Sequence, residues 1–139
     1  MNWLYDLIFI IFILFSLPVY LLRGKFHHGL LMRLGVIPKE VAEKLKSGPH
    51  LWVHAVSVGE VNAVSGLIEK FHQGFPRQRI VISTVTATGN RLAKTIAGSN
   101  DMVIYLPLDL GFITRKFVAL INPLLFITTE TEIWPNLIT

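Results

Sequence analysis

The sequence predicts an α/β domain built on a parallel sheet, preceded by one apolar helix. Short β-branched apolar runs alternate with amphipathic stretches of helical length, and the first 22 residues are nearly all apolar. Leu51–Val56, Arg79–Val85, Met102–Leu106 and Leu124–Thr128 read as strands. Between them, Glu60–Phe71, Thr88–Ala97 and Leu110–Leu120 read as helices; Val61, Val64, Leu67, Ile68 and Phe71 line the inner side of the first. Strands that are apolar on both faces and separated by helices call for a parallel sheet covered on both sides, with right-handed crossovers. Functional groups are then expected just past the carboxyl ends of the strands.

The opening segment raises the mean hydropathy to +0.54 and the hydrophobic content to 52%, while only 16% of residues are charged. These values exclude a disordered or fibrous chain. Leu7–Leu22 is an uncharged run of 16 residues, LIFIIFILFSLPVYLL, which as a helix measures about 24 Å. Trp3 and Tyr5 at one end and Tyr20 and Arg23 at the other resemble interface anchors. The reading is a membrane anchor over 1–22, a single span first, with Asp6 near the headgroups, and an interfacial helix, a buried helix or a signal peptide as the alternatives. Arg23, Lys25, Arg33, Lys39, Lys44 and Lys46 follow it, opposed by Glu40 and Glu43. That excess places the remainder in the cytoplasm by the positive-inside rule and favours contact with anionic lipid over nucleic acid. Residues 23–47 form a basic connector in which Pro38 opens a short helix, and 48–139 form the globular part. The chain contains no cysteine, which removes disulfides, thiolate nucleophiles and cysteine-bound metal.

Four polar clusters fall at the strand ends. In HAVSVGE at 54–60, Gly59 permits a close backbone approach or a positive φ. Ser57 either caps the next helix or binds substrate; Glu60 is either a helix-start carboxylate or a chemical group. In STVTATG at 83–89, Thr86, Thr88 and Gly89 suit a polyhydroxylated or anionic ligand, and the threonines equally suit a helix cap. Asp109, in YLPLD at 105–109, is an N-cap by default and, standing at a strand end, also a candidate to line the acceptor cleft. In ETEIWPN at 130–136, Glu130 and Glu132 stand beside Trp134 and Asn136, a composition suited to a cleft wall with acid–base capacity. Neither a dinucleotide fingerprint nor a phosphate loop is present.

In order and spacing, these four motifs, with LRGKFHHGLLMRLG at 22–35, resemble the N-terminal half of bacterial Kdo (3-deoxy-D-manno-octulosonic acid) transferases, which are GT-B glycosyltransferases. The resemblance implies a Rossmann-like GT-B N-terminal domain behind a membrane-anchor helix, at the cytoplasmic face of the bacterial inner membrane. It implies inverting transfer of Kdo from CMP-Kdo to lipid IVA, the lipid A precursor, in lipopolysaccharide core biosynthesis. Glu60 corresponds to the family's general base, and Glu130, Glu132, Trp134 and Asn136 to its acceptor-side motif near the reaction centre. No metal and no cofactor are expected. The donor-binding C-terminal domain is expected in cis or on a separate chain, so that these 139 residues alone should be inactive. The alternative is an inactive, membrane-anchored acceptor-binding or scaffold domain.

Overall fold

The computed structural model describes residues 3–22, 29–129 and 134–138. Its centre is a four-stranded, all-parallel sheet ordered β3-β2-β1-β4, from β1 (His50–His54), β2 (Arg79–Thr84), β3 (Met102–Tyr105) and β4 (Pro123–Thr128). Helices α1 (Trp3–Leu22), α2 (Gly29–Arg33) and α3 (Lys39–Leu45) precede the sheet. Helices α4 (Val58–Gly74), α5 (Ala87–Ile96) and α6 (Gly111–Ile121) connect the strands, and α7 (Pro135–Ile138) follows. The four expected strands and three connecting helices are all present. The first helix begins two residues before Glu60 because Ser57 is its N-cap.

Side-chain alternation along the strands assigns each residue to one of two cores. Leu51, Val53, Ile80 and Ile82 pack under α4 and α5 with Val61, Val64, Ile68 and Ala93. Trp52, Val81 and Ile104 face the opposite way, against Ile113, Phe117 and Ile121 of α6 and Leu45 of α3. Trp52 is 1% exposed, meets Phe126 edge-on and donates from Nε1 to Ser83 Oγ at 2.8 Å. The sequence around α2 is fitted to β3: a Cβ on Gly29 would stand 2.4 Å from the Tyr105 ring, so only glycine allows this approach. Arg33 adds a bond from Nε to Leu106 O at 3.1 Å. After α6 the chain turns at Asn122, whose φ of 46° lies in the left-handed region that asparagine tolerates better than most residues.

The expected membrane anchor is not borne out: among the described residues no helix is long and apolar enough to cross a membrane. Asp6 does not stand among headgroups. Its carboxylate accepts from Gly111 N at the start of α6 (3.3 Å) and from Asn136 Nδ2 (2.7 Å). Phe9 and Ile13, one and two turns further along α1, pack on the α6-side core. The polar start of α1 is therefore bonded to protein, and Pro18 lies within its second half. The single-pass topology inferred from such an anchor is overturned with it.

His54 ends β1 fully buried, with Nδ1 at 3.0 Å from both Ser83 O and Ser83 Oγ. Burial pushes its pKa below the ordinary histidine value; the Ser83 carbonyl and the Glu60 charge oppose that shift, and Arg33 adds to it. The unfolded chain then takes up this proton first. The contribution to stability is complete above the unfolded value near 6.5 and is lost as the pH falls through the folded value. Urea midpoints measured between about pH 7.5 and 5.5 should decline on acidification, and His54→Gln should flatten part of that slope.

Candidate functional site

The strand order reverses beside β1. The chain runs outward from β1 through β2 to β3, and α6 then returns it to the other side of β1 as β4. In an open parallel sheet such a reversal opens a crevice past the carboxyl ends of the two strands that flank it. Here those ends are His54, paired with Thr128, and the loops that follow.

Glu60 sits in this crevice. Ser57 is the N-cap of α4 and Glu60 its third helical residue, the spacing of a capping box. The bonding departs from that pattern: the Ser57 side chain makes no cap bond to a backbone N–H and donates instead to Glu60 Oε1 at 2.9 Å. Val56 N donates to Glu60 Oε2, and Thr129 Oγ1, past the end of β4, lies 3.2 Å from the same oxygen. An ionised carboxylate has about four lone-pair positions. Among the described residues three are filled, and the fourth is on Oε1. The helix start also favours the negative charge. A Cβ on Gly59 would meet nothing within 4 Å, so this glycine accommodates no neighbour and leaves the helix entrance open.

The second cluster abuts the first. Thr86 caps α5 by accepting from Gly89 N at 3.1 Å, and its hydroxyl lies 3.4 Å from Val56 O. Thr88, exposed, lies 3.4 Å from Thr86 through the two hydroxyls. A Cβ at Gly89 would stand 2.9 Å from Thr86 Oγ1 and 3.2 Å from the Ser57 carbonyl carbon. Gly89 thus lets α5 press against Ser57, the N-cap of the helix that carries Glu60.

Asp109 and Asn136 belong to a separate group. Asp109 does not cap α6, whose N-cap is Leu110 without a side-chain bond. It is 1% exposed, and its Oδ2 accepts from Asn136 N at 3.1 Å, at the start of α7. Burial raises the Asp109 pKa, against bonds from Asn136 N, the Tyr5 hydroxyl and Leu137 N that lower it. Tyr5 is pushed up to about 12, first by burial and then by its bond to Asp109. Asn136 Nδ2 bridges Asp109 O and Asp6 Oδ1, each at 2.7 Å. Trp134 packs on the α6-side core. Glu130 and Glu132 lie outside the described residues.

The structure thus brings Ser57, Gly59, Glu60, Thr86, Thr88 and Gly89 to one region and gives Asp109 and Asn136 partners of their own. Sequence reasoning missed Thr129 as a partner of Glu60 and Tyr5 and Asp6 as partners of the Asp109 group. Thr129 was visible as a hydroxyl residue after a strand, but nothing local pairs it with a residue 69 positions away. A cavity of about 540 Å³ among the described residues is lined by Glu40, Lys44, Arg79 and Asp101, among others, at the amino ends of the strands and away from Glu60.

A parallel α/β, Rossmann-like sheet of this kind, with a carboxylate at its topological switch point, is the architecture of one GT-B-like half-domain. Residues 28–139 match the family model described as 3-deoxy-D-manno-octulosonic-acid transferase (kdotransferase), and the chain belongs to that family. It is 42% identical over 88 residues to a 3-deoxy-D-manno-octulosonic acid transferase of Haemophilus influenzae, an alignment covering 63% of this chain and 21% of that protein. Against the enzyme of the same name from Chlamydophila psittaci, identity is 32% over 142 residues, covering 99% of this chain and 32% of that one. The Aquifex aeolicus enzyme is 32% identical over 101 residues, covering 73% and 27%. The chain spans about a fifth to a third of the length of these relatives.

Replacing Gly89 with alanine should destabilise the domain. The new methyl group must displace the Thr86 cap or the Ser57 backbone, and overpacking of this kind costs about 1–3 kcal/mol. The higher helix propensity of alanine returns at most about 1 kcal/mol. A urea titration of Gly89→Ala should therefore show a lower midpoint with an unchanged slope.

Proposed function

We propose that this chain forms the acceptor-side half of an inverting glycosyltransferase that moves Kdo from CMP-Kdo to lipid IVA, with Glu60 as general base. The observation that carries this reading is the Glu60 carboxylate at the β1–β4 crevice, held by Val56 N, Ser57 and Thr129 with one lone pair of Oε1 left over. Family membership supports the reaction class. A sugar hydroxyl is a weak nucleophile at neutral pH. As its oxygen forms the new bond to the anomeric carbon of Kdo, its proton passes to Glu60. The bond from that carbon to the CMP phosphate oxygen breaks, and CMP leaves with the electron pair. One displacement inverts the anomeric centre and needs one base, so neither Ser57 nor any other hydroxyl serves as a covalent nucleophile.

Thr86 and Thr88, beside the crevice, are suited to bonding a hydroxylated acceptor, and Glu130, Glu132, Trp134 and Asn136 are assigned to the acceptor side with them. Glu130 is the second candidate acid–base carboxylate. Asp109 holds α7 and thereby Asn136. Recognition of CMP-Kdo is assigned to a second domain, in cis or on another chain, so the 139 residues alone should not turn over.

The test uses a chimera in which these residues replace the matching part of the Haemophilus influenzae relative. Glu60→Gln keeps the size of the side chain and removes the proton acceptor. Its kcat should fall by at least about 10²-fold with a much smaller change in acceptor KM, because the base acts in the transition state. A near-normal kcat would remove Glu60 from the role of base. The isolated chain, incubated with CMP-Kdo and lipid IVA, should form no product; turnover by it would overturn the division of labour between two domains.

A further inference from the structure

Building on the assignment of Glu60 as base, we infer that Thr129 is a positioning residue that holds the Glu60 carboxylate in its productive orientation across the crevice. Two anchors of the carboxylate, Val56 N and Ser57 Oγ, come from the β1–α4 loop that leads directly into the first turn of α4, where Glu60 sits. Thr129 is the anchor from the opposite wall. Its own backbone is fixed by a bond from Thr129 N to His54 O at 3.3 Å, which continues the β1–β4 ladder. Its hydroxyl lies 3.2 Å from Glu60 Oε2 and 3.3 Å from His54 O. A hydroxyl has one proton, and two acceptors at such long and nearly equal distances mean that the proton is shared between them.

That sharing gives Thr129 a specific task. With Glu60 ionised, the hydroxyl donates to Oε2, which already accepts from Val56 N, and both positions on that oxygen are filled. The remaining lone pair is therefore on Oε1, beside the Ser57 contact, and the acceptor proton has one place to go. Once Glu60 has taken that proton, the Thr129 hydroxyl can turn to His54 O, 3.3 Å away. Without the hydroxyl, Oε2 keeps a vacant lone pair and the carboxylate can rotate between two equivalent orientations. Small misplacements of a reacting group cost up to about 10²-fold in rate.

The experiment uses the same chimera and four variants: Thr129→Val, Thr129→Ser, Glu60→Gln and the double variant Glu60→Gln with Thr129→Val. Thr129→Val, isosteric but without the hydroxyl, should lower kcat by about 10-fold or more while leaving acceptor KM and the melting temperature nearly unchanged. Thr129→Ser should restore most of the rate. The double variant should be no slower than Glu60→Gln alone, because a positioning residue has nothing left to orient. Near-normal kcat in Thr129→Val, with Glu60→Gln inactive, would overturn the inference and leave the base standing. So would a loss that multiplies with that of Glu60→Gln, which would mean that Thr129 contacts the substrate itself. A rate loss that follows a fall in melting temperature and is not rescued by serine would reduce Thr129 to a structural role. Near-normal kcat in Glu60→Gln would overturn the base assignment and this inference together.

Discussion

The parallel pairing of β4 with β1, rather than with the free edge of β3, is the constraint on which the rest of the structure depends. A chain that continued outward past β3 would leave the ends of β1 flanked on one side only. By returning across the sheet, α6 places the residue after β4 beside the loop after β1. The return is enforced by apolar burial: Phe117 and Ile121 are fully buried and Ile113 nearly so, against Trp52 and Val81. Each such side chain contributes about 1.5–3 kcal/mol when buried, against about 0.5–1.5 for a typical hydrogen bond. The contacts of Glu60 are a consequence of this packing and too weak to direct it.

Two carboxylates with different surroundings result. Asp109 is buried, its charge opposed by desolvation, and its bonds run to Tyr5 and the first turn of α7. Its bonds join the start of α6 to α1 and α7. Glu60 is half-buried, held from both walls of an open crevice, and keeps one unfilled position on Oε1. Similar side chains past the ends of two strands of one sheet, β3 and β1, therefore do different work: one is enclosed by α1, α6 and α7, and the other stands where the strand order reverses.

Some errors of the sequence reading have a common cause. LIFIIFILFSLPVYLL is as apolar as a lipid-facing helix, and hydropathy records composition without recording what each side chain touches. Phe9 and Ile13 turn out to touch the core, and Asp6, the one acid in α1, turns out to be bonded to Gly111 and Asn136. Asp109 was placed as a cap on the next helix because capping is judged from chain neighbours; its partner lies 27 residues away.

What the sequence determined by itself is local and periodic. The two-residue alternation in Leu51–Val53 and Ile80–Ile82, the helical stripe of Val61, Val64 and Ile68, and the hydroxyl, glycine and acidic residues after each strand reflect forces acting over a few residues. They located the strands, the helices and Glu60. Tertiary structure decided which strand lies beside β1, that Thr129 meets Glu60 across 69 residues, and that Asp6 and Tyr5 join Asp109. Those pairings arise when two layers of helix close over a sheet, and the free energy that selects them is spread over the whole core rather than written at either partner.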